Sequence, residues 1–201
     1  MLIIGIDPGL SGGVACLGRA GSGQRTEEKI STTAMPVCAH YTGKGNQIDV
    51  DKLLEFIHNC RGFNLSPTGR SNEPVFVYIE RVGNMPRMRN GKKVVQGATS
   101  MFNFGDGFGI IRGALGAYHK LTGGTVISYV WPPTWQKALF AKTAKGTSKQ
   151  KALSFVSRYY TGLNLLKSSR SKKPHEGIVD SLAILEYGRR QLFGEETKET
   201  K

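Results

Sequence analysis

Apolar residues come first in short unbroken runs and later at helical spacing. Leu2-Ile3-Ile4-Gly5-Ile6 is such a run, closed by Asp7-Pro8-Gly9, and it predicts a buried strand followed by a turn. Residues 13–17 predict a second strand about one hairpin away, and residues 29–37 a third. Val50, Leu53, Leu54 and Ile57 then recur at helical spacing, which predicts a helix over residues 49–60. Asp49 and Asp51 stand where a cap and a first-turn acid belong, so that pair is read as capping rather than metal binding. After a polar loop over 61–74, the run from Val75 predicts another buried strand, again ending in an acid, Glu80.

The second half continues in the same manner. Residues 83–100, rich in Gly, Asn, Met and basic groups, predict a mobile arm. Residues 106–121 predict an apolar, glycine-containing helix, and residues 125–130 a strand that Pro132 and Pro133 terminate. Thr134 is expected to cap a short helix through residue 140. Residues 148–160 predict a basic amphipathic helix, and residues 176–193 the last helix. The charged residues 194–201 predict a disordered tail, which leaves 1–193 as a single domain without internal repeats. Strands alternating with helices imply an α/β layer fold whose parallel strands are joined by helical crossovers.

Composition narrows the class. The chain has 201 residues and 39% hydrophobic content, enough for one core without disulfides. No apolar run is long enough for a membrane helix, so no membrane role is expected. Met1 leads straight into the first strand without a basic region or a cleavage site, so a cytoplasmic-type or mature form is expected. Cys16, Cys38 and Cys60 are odd in number and lack a C-x-x-C pair, so reduced thiols are expected. Cys38 with His40, and His58 with Cys60, leave a zinc site open, although neither spacing is a common structural one.

Charge gives the first functional direction. The net charge is +13, and between Arg81 and Lys173 stand 17 Lys/Arg against a single acid, Asp106. Such a field favours a polyanion, and because it spans several elements it points to nucleic acid.

Against this basic background, a few acids occupy special positions. Asp7 and Glu80 each end a buried strand, where a carboxylate is costly unless compensated. Glu176 and Asp180 stand four apart near the start of the last helix and share one of its faces. Four crowded carboxylates would not all ionise unaided. A divalent cation resolves the conflict, and hard oxygen ligands suit Mg²⁺ or Mn²⁺. A pair of such ions can clamp the attacking and leaving oxygens of a phosphodiester.

These residues carry a resemblance. Ile4-Gly5-Ile6-Asp7-Pro8-Gly9 with Gly13–Ala15, then Tyr78-Ile79-Glu80, then Asp180-Ser181-Leu182-Ala183-Ile184 resembles the RuvC family of Holliday-junction resolvases. The stretch Lys172-Lys173-Pro174-His175-Glu176-Gly177-Ile178-Val179-Asp180, continuing to Glu186-Tyr187-Gly188-Arg189-Arg190, is similar to the phage and chloroplast branch of that family. The likeness runs from residue 2 to about residue 192.

The resemblance implies a ribonuclease H-like mixed five-stranded sheet flanked by helices, a homodimer, and two Mg²⁺ per active site. It also implies paired symmetric nicks in a four-way DNA junction. Its metal ligands fall on Asp7, Glu80 and Asp180, with Glu176 expected as the fourth and His175 as the alternative. Bacterial members carry an acid or His three residues before the last Asp, where this chain has Gly177. Replacing Gly177 by Ala is therefore expected to be mild, while His175 is expected either to assist catalysis or only to cap the helix. Lys137 and Lys149 follow by similarity as phosphate-holding catalytic residues, each with a solvated-surface alternative. Lys172 and Lys173 join them as expected DNA contacts.

Arg87, Arg89, Lys92 and Lys93, with Met85 and Met88, are expected to form a DNA-binding arm that enters the centre of a junction. The helix over 106–121 is the expected dimer interface, with Leu115 as an outward apolar position. Three rival readings differ in class. A sugar kinase or actin-like ATPase shares the opening motif but needs a duplicated domain. A junction-binding protein without catalysis would bind and never cut. A nuclease acting on RNA–DNA hybrid would share the metal site.

Overall fold

The computed structural model describes residues 1–20, 27–61, 74–81, 83, 87–89, 92–94, 97–140 and 145–194. Its elements in chain order are β1 (Leu2–Asp7), β2 (Gly13–Ala20), β3 (Glu27–Ala34), β4 (Val37–Ala39), β5 (Asn46–Ile48), α1 (Val50–Arg61), β6 (Val75–Glu80), β7 (Arg87–Arg89), β8 (Lys92–Val94), α2 (Ala98–Thr122), β9 (Thr125–Val130), α3 (Pro132–Leu139), α4 (Ser148–Tyr159) and α5 (Glu176–Phe193). Five strands form one mixed sheet in the order β3-β2-β1-β6-β9. β1 and β2, and β2 and β3, run antiparallel, whereas β1, β6 and β9 run parallel. This is the expected mixed five-stranded sheet, with helices on both faces.

Strand alternation divides the core in two. Leu2, Ile4 and Ile6 of β1 pack with Val75, Val77 and Ile79 of β6 against α1 and α2. Ile3 and Tyr78 point the other way, into a cluster built on α3, α4 and α5. Helix α5 is buried nearly all round, with Leu182, Ala183, Ile184 and Leu185 fully enclosed. It lies directly on β1, and a Cβ on Gly5 would stand 2.2 Å from the Ser181 carbonyl oxygen. The buried Glu186 ties α5 to the end of α4: it accepts from Tyr160 Oη at 2.8 Å, Arg189 Nε at 2.8 Å and Arg190 Nε at 2.9 Å. Those partners hold its carboxyl below the usual range despite burial.

Several expectations are corrected. Helix α2 begins at Ala98, eight residues before the expected start, and the end of the expected arm belongs to it. Contacts rather than periodicity fix this extension: a Cβ on Gly9 would meet Phe104 at 3.5 Å, and one on Gly107 would meet Ile48 at 3.8 Å. Thr134 does not cap α3. Trp131 is the cap residue, and Pro132 and Pro133 begin the helix, where a missing N–H costs nothing. The hairpin β4–β5 was not anticipated, since its strands of three residues each are too short to show a period. Part of the expected arm is the β7–β8 pair, with Arg87 opposite Val94. The side chains of Arg87, Arg89, Lys92 and Lys93, residue 85, and the tail beyond 194 lie outside the described residues. Leu115 does not face outward; it is fully buried beside Ile111 in the core.

All three cysteines are free, and Cys38 Sγ accepts from Gln47 Nε2 at 3.7 Å. Among the described residues no helix is long and apolar enough to cross a membrane.

Candidate functional site

The parallel pairing of β1 and β6 places Ile6 beside Ile79, so Asp7 and Glu80 follow as neighbours at the same edge of the sheet. Alternation then turns both acids away from the α1/α2 core and toward α5. Helix α5 brings Asp180 to the same place from above. The expected convergence of Asp7, Glu80 and Asp180 is therefore what the fold produces.

Their electrostatics match their placement. Burial raises all three carboxyls to about 7, and the trio reinforces the effect through its own charges: Glu80 acts on Asp7, Asp180 on Glu80, and Asp7 on Asp180. Opposing this, the amide of Gly9 and the charge of Lys149 favour the ionised form of Asp7, and Lys149 also favours that of Asp180. Trp135 Nε1 donates to Glu80 Oε2 at 2.9 Å, which orients that carboxylate and favours its charged state.

A cleft of about 370 Å³ opens beside the trio. Its lining includes Asp7, Asp180, Ser11, Lys149, Lys167 and Lys173. His175 and Glu176 also line it, at the start of α5. Glu176 is 63% exposed and pairs with Lys149, so it stands at the rim rather than within the trio. His175 caps α5, its Nδ1 accepting from the Ile178 amide at 3.4 Å. Burial, and then the nearby Lys167, lower its pKa below the usual histidine value, consistent with a neutral ring.

Gly177 explains why this chain lacks an acid at that position. Its Cβ would lie 2.2 Å from the carbonyl carbon of Gly12, so no side chain fits there and Gly177→Ala cannot be mild. Lys173 is exposed in the cleft lining, Lys172 is exposed in the preceding loop, and Lys137 is exposed on α3 but outside that lining. Trp135, Ser11, Lys167 and Ser171 were not singled out from sequence. The only signal for Lys167 was the basic run to which it belongs.

Among the described residues no three His, Cys, Asp or Glu side chains stand in a preformed metal-ligand group, and the zinc alternative gains nothing there. The carboxylate trio nevertheless fits a hard divalent cation by donor chemistry. Three oxygen donors share an edge where each raises another's pKa, and a dication would relieve that cost.

No family model and no curated protein matches the chain. Among solved structures it is similar to RuvC of T. thermophilus in complex with Holliday junction substrate, at 15% identity and a TM-score of 0.46, covering 96% of this chain and 97% of that one. A second T. thermophilus RuvC structure gives 14% identity and a TM-score of 0.42, covering 95% of this chain and 96% of that one.

Proposed function

We propose that this protein is a divalent-metal-dependent DNA endonuclease that resolves four-way junctions by paired nicks, acting as a homodimer in recombination or repair. The observation that carries the reading is the convergence of Asp7, Glu80 and Asp180 at one sheet edge, their carboxyls raised by burial and by one another's charge, inside a strongly basic protein. The motif order supplies the junction as substrate class.

In this reading Asp7, Glu80 and Asp180 hold Mg²⁺ or Mn²⁺, and Glu176 joins them when it releases Lys149. When bound, a pair of such ions supplies Lewis-acid stabilisation of the attacking and leaving oxygens. Trp135 fixes Glu80. Lys149, Lys167 and Lys173 draw the phosphodiester backbone into the cleft, and Lys172 and the arm residues Arg87, Arg89, Lys92 and Lys93 extend that field. Lys137 contributes to backbone binding away from the cleft. His175 holds the first turn of α5 in place. The protein acts in the cytoplasm.

A second reading, binding without cutting, is favoured by one observation, the pairing of Glu176 with Lys149 outside the trio. The deciding experiment incubates the protein with a synthetic four-way junction, with and without Mg²⁺, and maps the nicks. Symmetric metal-dependent nicks that vanish in Asp7→Asn, with binding retained, support the resolvase. Binding without nicks under Mg²⁺ and Mn²⁺ supports the second reading. Preferential cutting of an RNA–DNA hybrid overturns the junction as substrate.

A further inference from the structure

The residue after Glu80 changes both the face of the sheet and the sign of the charge. Arg81 is anchored by its own amide, which donates to the Val130 carbonyl at 2.8 Å. Its side chain lines an open cleft of about 420 Å³ with Phe108, Arg112 and Tyr129. This is the α2 face of the sheet, opposite the carboxylates, since Tyr129 pairs in register with Ile79 and meets Phe108 of α2.

The cleft is built from two guanidiniums and two rings. Arg112 lies 5.7 Å from the Phe108 ring and 5.5 Å from that of Tyr129, and the two rings meet edge to face at 5.9 Å. Arg81 lies 4.4 Å from the Trp131 ring. Among the described residues neither arginine forms an ion pair with an acid, and Tyr129 is 43% exposed on the outer strand of the sheet. Two cations without acidic partners, beside accessible rings, suit an anionic group carrying a flat aromatic one. Guanidinium matches phosphate in hydrogen bonding, and a nucleobase stacks on exposed rings whatever its sequence. An acidic peptide would use the cations and leave the rings idle.

We propose that Arg81, Phe108, Arg112 and Tyr129 form a nucleotide subsite for the strand being cut. The two arginines hold a backbone phosphate flanking the scissile one, and Phe108 and Tyr129 receive the unstacked base. This rests on reading the carboxylate edge as the cleavage site, because Arg81 follows Glu80 directly and one strand crossing the sheet edge reaches both. It would fix which phosphodiester lies over the carboxylates, making these four residues determinants of cut position.

The test uses a short single-stranded DNA carrying 2-aminopurine, titrated without metal over a range of salt. Wild-type protein should quench the fluorophore. Tyr129→Leu should lose the quench and weaken binding about tenfold, as expected for one stacked base. Arg112→Gln should reduce the salt slope by about 0.7, the share of one phosphate contact on a single strand. Arg112→Lys should recover the slope, which a merely structural arginine would not predict. Quenching and slopes equal to wild type in both Tyr129→Leu and Arg112→Gln would overturn the subsite. Junction cutting by the wild type under Mg²⁺ is measured separately. Cutting with flat variant responses removes the subsite alone, whereas the expected oligonucleotide responses without cutting keep it and remove the resolvase reading.

Discussion

Gly177 rests directly on Gly12: a Cβ built on Gly177 would stand 2.2 Å from the Gly12 carbonyl carbon. The first turn of α5 is thereby seated on the turn between β1 and β2, which fixes Asp180 relative to Asp7. Because the obstacle is backbone on both sides, it cannot rotate away. Gly177→Ala should cost about 1–3 kcal/mol, read as a lowered urea midpoint, as overpacking of a close contact does. Cutting should fall about 100-fold through misplacement of the carboxylate. Glu176→Gln separates seating from ligation. Its partner Lys149 is exposed, so stability should change by less than about 1 kcal/mol, and lost cutting at unchanged stability would mark Glu176 as a ligand. An Ala variant as stable and active as wild type would refute the seating role.

Much of this site was legible because its residues end unbroken apolar runs. Leu2–Asp7 and Val75–Glu80 are short apolar runs bounded by turn signals, which favours buried strands, and an acid closing each stands at a sheet edge. Legibility failed where structure depends on distant contacts. The first turns of α2 carry Phe102, Gly105, Gly107 and Gly109, a pattern without helical period, and they are placed by the β1–β2 turn and by Ile48. For the same reason periodicity could not say which side of α2 faces the core. Leu115 and Ile111 turn inward, while Phe102 and Leu121 remain exposed. Trp135 carried no signal of its own in the sequence, because its role depends on a hydrogen-bond partner 55 residues away. The absence of an acid at position 177 looked like a departure in chemistry, yet its cause is packing.

The carboxylate trio should make stability depend on pH in an unusual direction. In the folded, metal-free chain these groups keep their protons to about pH 7. In the unfolded chain they release them near pH ~4. Between those values the folded state holds more protons, so stability is fully present below the unfolded pKa and falls as pH rises toward 7. The loss should be on the order of a few kcal/mol between pH ~4 and ~8, followed by urea midpoints in a chelating buffer. Asp7→Asn should be more stable than wild type at the alkaline end only, and Mg²⁺ should raise the wild-type midpoint there. A wild-type midpoint that holds or rises across this window would contradict the carboxylate energetics.

Trp135 should set the acid limb of the reaction. Its indole donates to Glu80 Oε2 and favours the charged carboxylate. Trp135→Phe removes the donor and raises the Glu80 pKa, so the ascending limb of the pH–rate profile should move to higher pH. The rate on the plateau should change less than the rate at the acid end. The core also loses volume at a position only 1% exposed, so a stability cost of about 1–3 kcal/mol is expected. That cost alone would not move a pH profile, and an unshifted limb would reduce Trp135 to a packing residue.

The dimer should form across the outer face of α2. Resolving a junction requires two nicks on opposing strands, and a two-fold dimer matches the symmetry of the substrate. Leu115→Glu cannot test this, because Leu115 lies in the core and the substitution should unfold the chain. The face that remains open runs from Phe102, 74% exposed, past Gly109, Gly113 and Gly116, where an added Cβ meets nothing. An exposed aromatic at one end and bare backbone beyond it allow a second copy to approach closely. Gly113→Glu places a charge on that face and adds up to about 1 kcal/mol of helix propensity, so loss of folding is not expected. The variant should sediment as a monomer, retain its thermal transition, and make single nicks where wild type makes paired ones. Light scattering that gives a monomer for wild type both alone and on the junction would sink the dimer, and symmetric resolution by one chain with it.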